Sequence, residues 1–249
     1  MPLNRMATLI DQFKNIDFPT TDYFVIGGGE ATAPYIFGNN NYMQQALSMI
    51  YDVGGIPTIK TNAIWGNYKH LRRLILKDLA DTAYSHQIIV TLDISIDEFH
   101  KNIDGTANII SDLVKSQYLL PAIRISLVGF NTDASKSQLD KLHLALNRNG
   151  VHTFSNSHIS YDFSATQNGY GMQIFTSFAT PIYMDGRAAQ TKSYTTGPSR
   201  GLPDSDGHCL AVDYANNAIL NYKFREHIAE RDLNTVTKSL MNQLYPNGR

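Results

Sequence analysis

Residues 87–96, Gln87-Ile88-Ile89-Val90-Thr91-Leu92-Asp93-Ile94-Ser95-Ile96, form a β-branched, largely apolar run that leads directly into Asp97-Glu98-Phe99-His100. A short run of this kind predicts a buried strand opening into a loop. Helical spacing flanks it on both sides: Leu71, Leu74, Ile75 and Leu79 within Tyr68 to Tyr84, then Ile109, Ile110, Leu113 and Val114 within Thr106 to Tyr118. The unit recurs in both directions. Upstream, Asp22 to Ile26 is a short apolar run ending in Gly27-Gly28-Gly29-Glu30. Tyr42 to Val53 follows as a helix with Met43, Ala46, Leu47 and Ile50 on one face, and Ile56 to Thr61 as a strand ending at Asn62. Downstream, Ala122 to Phe130 reads as a strand, Ser137 to Arg148 as a helix stopped by Asn149-Gly150, and Val151 to Phe154 as a further strand. Strand and helix alternating at these intervals predict βαβ units around a parallel sheet, which is the α/β class.

The alternation begins after a helical segment, Leu3 to Ile16, and degrades after Ser155. Asp185 to Gly207 is rich in Gly, Pro, Ser and Thr and predicts a long loop. A short strand pair, Cys209 to Tyr214 and Ala218 to Tyr222, and a closing helix, Leu233 to Leu244, are expected beyond it. Two regions follow: 1–155, the βα region, and 156–249, an irregular C-terminal region. Composition sets bounds on function. The 249 residues carry 21 basic and 22 acidic side chains for a net charge of −1, so a general nucleic-acid or polybasic membrane binder is not expected. Apolar runs fall short of the roughly 20 residues that a membrane span takes, and the first residues have no secretory apolar core. A soluble, cytoplasmic protein is expected. The single cysteine, Cys209, makes no internal disulfide, zinc ribbon or cysteine-ligated cluster by itself.

In parallel α/β sheets the chemistry lies outside the carboxyl ends of the strands. Those ends carry Gly27-Gly28-Gly29-Glu30, then Thr61-Asn62, then Ser95 and Asp97 with His100, then Gly129-Phe130-Asn131, then His152 and Ser155-Asn156. The glycine triplet either lets a backbone approach a ligand, with Glu30 as acceptor for an amine, or makes a tight turn. It is not a dinucleotide fingerprint, because Thr32 stands where the last glycine of GxGxxG belongs. Ser95 and Asp97 could hold a sugar's adjacent hydroxyls, or Asp97 could cap the following turn. The plainer reading of His100 is a surface or packing histidine.

Three of these stretches, taken in order, resemble the radical SAM superfamily: Ile26-Gly27-Gly28-Gly29-Glu30-Ala31-Thr32, Gly55-Ile56-Pro57-Thr58-Ile59-Lys60-Thr61-Asn62-Ala63 and Thr91-Leu92-Asp93-Ile94-Ser95-Ile96-Asp97-Glu98-Phe99-His100. In that family one strand ends in GGE, the next reads toward TNG, and the following one ends in S-x-D, often trailed by phenylalanine and histidine. The resemblance covers about Met6 to Asn156. It implies a partial (βα)6 barrel of radical SAM type that binds S-adenosylmethionine at its carboxyl edge. Gly28, Gly29 and Glu30 would contact the methionine moiety, Ser95 and Asp97 would lie near the ribose, and Asn62 would line the pocket.

The departures are equally specific. The family's CxxxCxxC loop, which holds a [4Fe–4S] cluster and follows the first strand, has no counterpart here, and that strand is missing too. Ala31 replaces a common proline and Ala63 a common glycine. Two accounts follow: an N-terminally shortened radical enzyme acting on a small-molecule or peptide substrate, its cluster present only if an upstream cysteine segment exists, or a cluster-free barrel that binds SAM or a peptide or protein partner. An unpaired edge at Asp22 to Ile26 favours the first. A generic α/β protein with coincidental motifs is the third reading.

Overall fold

The computed structural model describes residues 3–14, 23–26, 30–36, 38, 41–97, 99–100, 102–155, 161–179, 210–213, 218–221 and 226–228. The chain divides into two compact units, one of residues 21–180 and one of residues 1–20 with 181–249. The second contains helix α1 (Leu3–Lys14) and a small sheet described below.

The 21–180 unit is mixed α/β. Its elements run β1 (Tyr23–Ile26), a helical turn α2 (Ala33–Ile36), α3 (Asn41–Tyr51), β2 (Ile56–Thr61), a 3-10 turn (Ile64–Asn67), α4 (Lys69–His86), β3 (Val90–Ser95), α5 (Ile103–Val114), β4 (Ile123–Phe130), α6 (Asp133–Arg148), β5 (His152–Ser155), β6 (Phe163–Gln167) and β7 (Tyr170–Ala179). One seven-stranded sheet has the order β1-β2-β3-β4-β7-β6-β5. The pairs from β1 through β4 to β7 are parallel, and β7–β6 and β6–β5 are antiparallel. The sheet stays open and does not close into a barrel.

Parallel crossovers are right-handed almost without exception, so a strictly sequential β1-β2-β3-β4 order sends every connecting helix to one face. Burial follows that geometry. Ile59, Leu92, Ile94, Ile125 and Leu127 alternate along the strands on the helix-covered face and are fully buried. Their neighbours point the other way: Thr58, Asp93 and Ser126 are half-buried, and Lys60 and Arg124 exposed. Met43, Leu47, Ile75, Leu79, Ile109, Ile110 and Leu142 complete the core from the helices. Each fully buried side chain of this kind contributes about 1.5–3 kcal/mol of transfer free energy.

The expected parallel strand at Val151 to Phe154 does not sit beside β4. That place belongs to β7, and β5 lies at the far edge. The reason is burial capacity. A central strand is covered on both sides by partners, and β7, ten residues long, supplies the fully buried Ile174 opposite Ile125. Of β5, His152, Phe154 and Ser155 are exposed, so this short strand is suited to an edge. The hairpin β6–β7, with Asn168 and Gly169 at positive φ in its turn, carries strand pairing past Ser155, where helix-strand alternation had ended. The start of α6 also falls earlier than the apolar spacing suggested. Thr132 is its N-cap, its hydroxyl accepting from the Ser135 amide at 3.1 Å.

In the other unit, β8 (Leu210–Asp213), β9 (Ala218–Asn221) and β10 (Glu226–Ile228) form an antiparallel sheet in the order β10-β9-β8. The glycine-rich loop, Cys209 and the expected helix Leu233 to Leu244 lie outside the described residues.

Candidate functional site

Parallel pairing brings the carboxyl ends of β1, β2 and β3 to one edge: Ile26 lies beside Ile59, Thr61 beside Ile94, and Ser95 beside Val128. Side-chain bridges lock the loops that leave this edge. Glu30 spans the first two. Its Oε1 accepts from the Thr61 hydroxyl at 2.7 Å and from the Thr32 amide and hydroxyl, and its Oε2 accepts from the Asn62 amide at 2.9 Å. Thr61 is buried, and its hydroxyl also accepts from the Ala63 amide at 3.0 Å and from Trp65 Nε1 at 2.9 Å. One hydroxyl offers one donor and two acceptor sites, so Thr61 is saturated.

The second loop is tied to the third. Asn102 Nδ2 donates to the Asn62 carbonyl at 3.0 Å. The 3-10 turn after Asn62 lies backbone against backbone on α5: a Cβ at Gly66 would come within 2.2 Å of the Gly105 carbonyl oxygen. Buried Arg72 secures the same turn, donating from Nη1 to the Gly66 carbonyl and from Nε to Asp112 at 2.7 Å. Ala63, fully buried, takes the left-handed conformation with φ 59° at the position where the resembling motif carries glycine.

The third loop is built on Asp97, which is 5% exposed. Its Oδ1 accepts from the Phe99 and His100 amides at 2.9 and 3.0 Å, so it caps its own turn. His100 Nδ1 lies 2.8 and 2.9 Å from the two carboxylate oxygens. Burial pushes the Asp97 carboxyl up, but the hydrogen bonds and charge of His100 and the two amides outweigh it and hold the group below its ordinary range. The Asp97 hydrogen bond raises the His100 imidazole against burial, and the charges of Asp97 and Glu30 add to it. The charge of Glu30, on the loop after β1, thus bears on the imidazole of the loop after β3.

Of the sequence-derived site residues, Glu30, Asn62 and Asp97 are joined to this edge by these bonds. Ser95 ends β3 half-buried, on the face opposite that of the buried Leu92 and Ile94. Gly28 and Gly29 lie outside the described residues, as does Asn156. His152 and Ser155 belong to β5 at the distant edge of the sheet and are not brought into the site. Sequence reasoning passed over Asp93 and Lys60, which lie level with each other and with Ser126 across β2, β3 and β4. Burial raises the Asp93 carboxyl, opposed by a hydrogen bond with Ser126 and the charge of Lys60. The available signal was polar residues at alternate positions in parallel strands, which ordinarily read as continuous apolar runs.

The edge holds donors and acceptors for a small polar ligand. Glu30 Oε2 accepts a single backbone bond, which leaves acceptor capacity for an ammonium group. The donor set does not fit an iron–sulfur cluster, because the chain has one cysteine. Among the described residues no three His, Cys, Asp or Glu side chains are grouped to hold a metal ion. No described helix is long and apolar enough to cross a membrane. No protein-family model matches the chain, and no curated protein does either.

Proposed function

We propose that this chain is a radical SAM-like protein that binds S-adenosylmethionine at the carboxyl edge of β1–β3. The observation that carries the reading is the bridging of the three consecutive strand-end loops that carry the motifs, Glu30 to Thr61 and Asn62, and Asn62 to Asn102 on the loop that Asp97 begins. The sequential, parallel order of β1 to β4 supports it, since their carboxyl ends meet at one edge, where α/β sheets hold their ligands. In this reading Gly28, Gly29 and Glu30 take the methionine head, Ser95 and Asp97 lie near the ribose, and Asn62 lines the wall between them. SAM supplies an activated sulfonium. Radical cleavage of it would take a cluster held by three thiolates from outside these 249 residues.

The test is equilibrium dialysis of the chain with labelled SAM. Saturable binding is expected, weakened roughly tenfold or more in Glu30→Gln through loss of a charged hydrogen bond. Absence of saturable binding to the wild-type chain overturns the reading. The single cysteine favours a second reading, a cluster-free module for SAM or a peptide or protein partner. Intact mass and iron content of the native protein from its source separate the two: iron at cluster stoichiometry supports the enzyme, and its absence with SAM binding retained supports the module.

A further inference from the structure

The resemblance assigns a ligand contact to Asp97, yet both oxygens of this carboxylate are already engaged, by its own turn and by His100 Nδ1. Oδ1 is filled by three of these contacts, and Oδ2, which takes only His100 Nδ1, belongs to a side chain so deeply buried that a sugar hydroxyl has little access to it. The imidazole it holds is the more accessible group: the His100 side chain is 41% exposed, against 7% for that of Asp97. With Nδ1 fixed against the carboxylate, Nε2 is the ring nitrogen left for a ligand, and its direction is set by the pair.

We propose that His100 is the ligand-contacting residue of this edge, donating from Nε2 to the carboxylate of an α-amino acid head whose ammonium group is taken by Glu30, and that Asp97 is its positioning residue. The inference rests on the SAM-binding reading and deepens it. Charge complementarity supports it, because a carboxylate on the loop after β1 and an imidazolium on the loop after β3 match the two ends of a zwitterion. The charged groups that bear on the imidazole are Asp97 from its own turn and Glu30 from the loop after β1, both anionic. They favour the protonated ring, which donates from both nitrogens. Only the protonated ring both keeps its bond to Asp97 and brings positive charge to the ligand.

The test measures SAM binding to the whole chain by calorimetry between pH 6 and 9, for wild type, His100→Ala, His100→Gln and Asp97→Asn. Free methionine serves as a second probe that carries only the amino acid head. In the wild type, affinity should fall as pH rises through the raised His100 titration. His100→Ala should weaken SAM binding roughly ten- to a hundredfold, the loss of a charged hydrogen bond, and should flatten the pH dependence. Asp97→Asn, which keeps an oxygen for the turn amides, should move the affinity loss to lower pH, a shift that a merely structural role would not cause. His100→Gln keeps a side chain of similar reach, and an unchanged Trp65 emission shows that the fold is retained. SAM affinity that is independent of pH and unchanged in both His100 variants overturns this inference and leaves the SAM-binding reading standing. Absence of SAM binding to the wild type overturns both.

Discussion

Replacing Thr61 by valine tests the network that holds the site together. The two side chains have nearly the same shape, so the change exchanges one hydroxyl for one methyl. Three bonds are lost: the donation to Glu30 Oε1 at 2.7 Å, and the acceptances from the Ala63 amide at 3.0 Å and Trp65 Nε1 at 2.9 Å. The Ala63 and Trp65 donors belong to residues that are fully buried, so water cannot replace the partner. Each orphaned buried donor costs about 1–3 kcal/mol. Glu30 Oε1 keeps its two bonds from Thr32, which softens the third loss. The sum is about 4 kcal/mol, a large share of the roughly 5–15 kcal/mol that stabilises a domain. Thr61→Ser keeps all three bonds and removes one buried methyl, a cost of about 1 kcal/mol. Trp65 is the sole tryptophan. Its emission in urea titrations therefore reports the 21–180 unit that contains it. The expected result is a midpoint lowered far more in Thr61→Val than in Thr61→Ser, with the slope unchanged. Equal losses in the two variants would refute the network argument.

Other expectations concern the supports of the same edge. Gly66→Ala forces a Cβ to within 2.2 Å of the Gly105 carbonyl oxygen, and a loss of about 3 kcal/mol or failure to fold is expected by thermal or urea unfolding. Asp112→Asn leaves the buried Arg72 guanidinium without its counter-charge, which should cost about 2 kcal/mol in the same assay. The Asp97–His100 pair gives a signed pH dependence. The raised His100 contributes stability below its unfolded value near 6.5 and loses it as pH rises through the folded value, whereas the lowered Asp97 contributes above its unfolded value near 3.8 and loses it as pH falls through the folded value. The stability difference between wild type and His100→Gln should therefore be greatest between about pH 4 and 6.5 and fade as pH rises through the raised folded value of His100, as read from urea midpoints. A difference that grows with pH would show that the pair does not stabilise the fold.

The sequence by itself determined the class and most of the parallel half of the sheet. Apolar runs such as Ile56 to Thr61 and helical spacings such as Leu71, Leu74, Ile75 and Leu79 are local patterns, and β1 to β4 with their helices follow from them. It also marked Glu30, Asn62, Ser95 and Asp97, since strand ends are visible wherever strands are. Tertiary structure alone decided which strand lies beside β4. Strand pairing depends on long-range competition for burial, and β7 wins over the nearer β5 because it brings a longer, better buried partner. Side-chain roles were settled the same way. Asp97 reads alike in sequence as a sugar ligand or a turn cap, and only the folded loop shows its two oxygens holding amides and His100. Hydrogen-bond capacity is finite, and its allocation depends on neighbours that the linear order does not name.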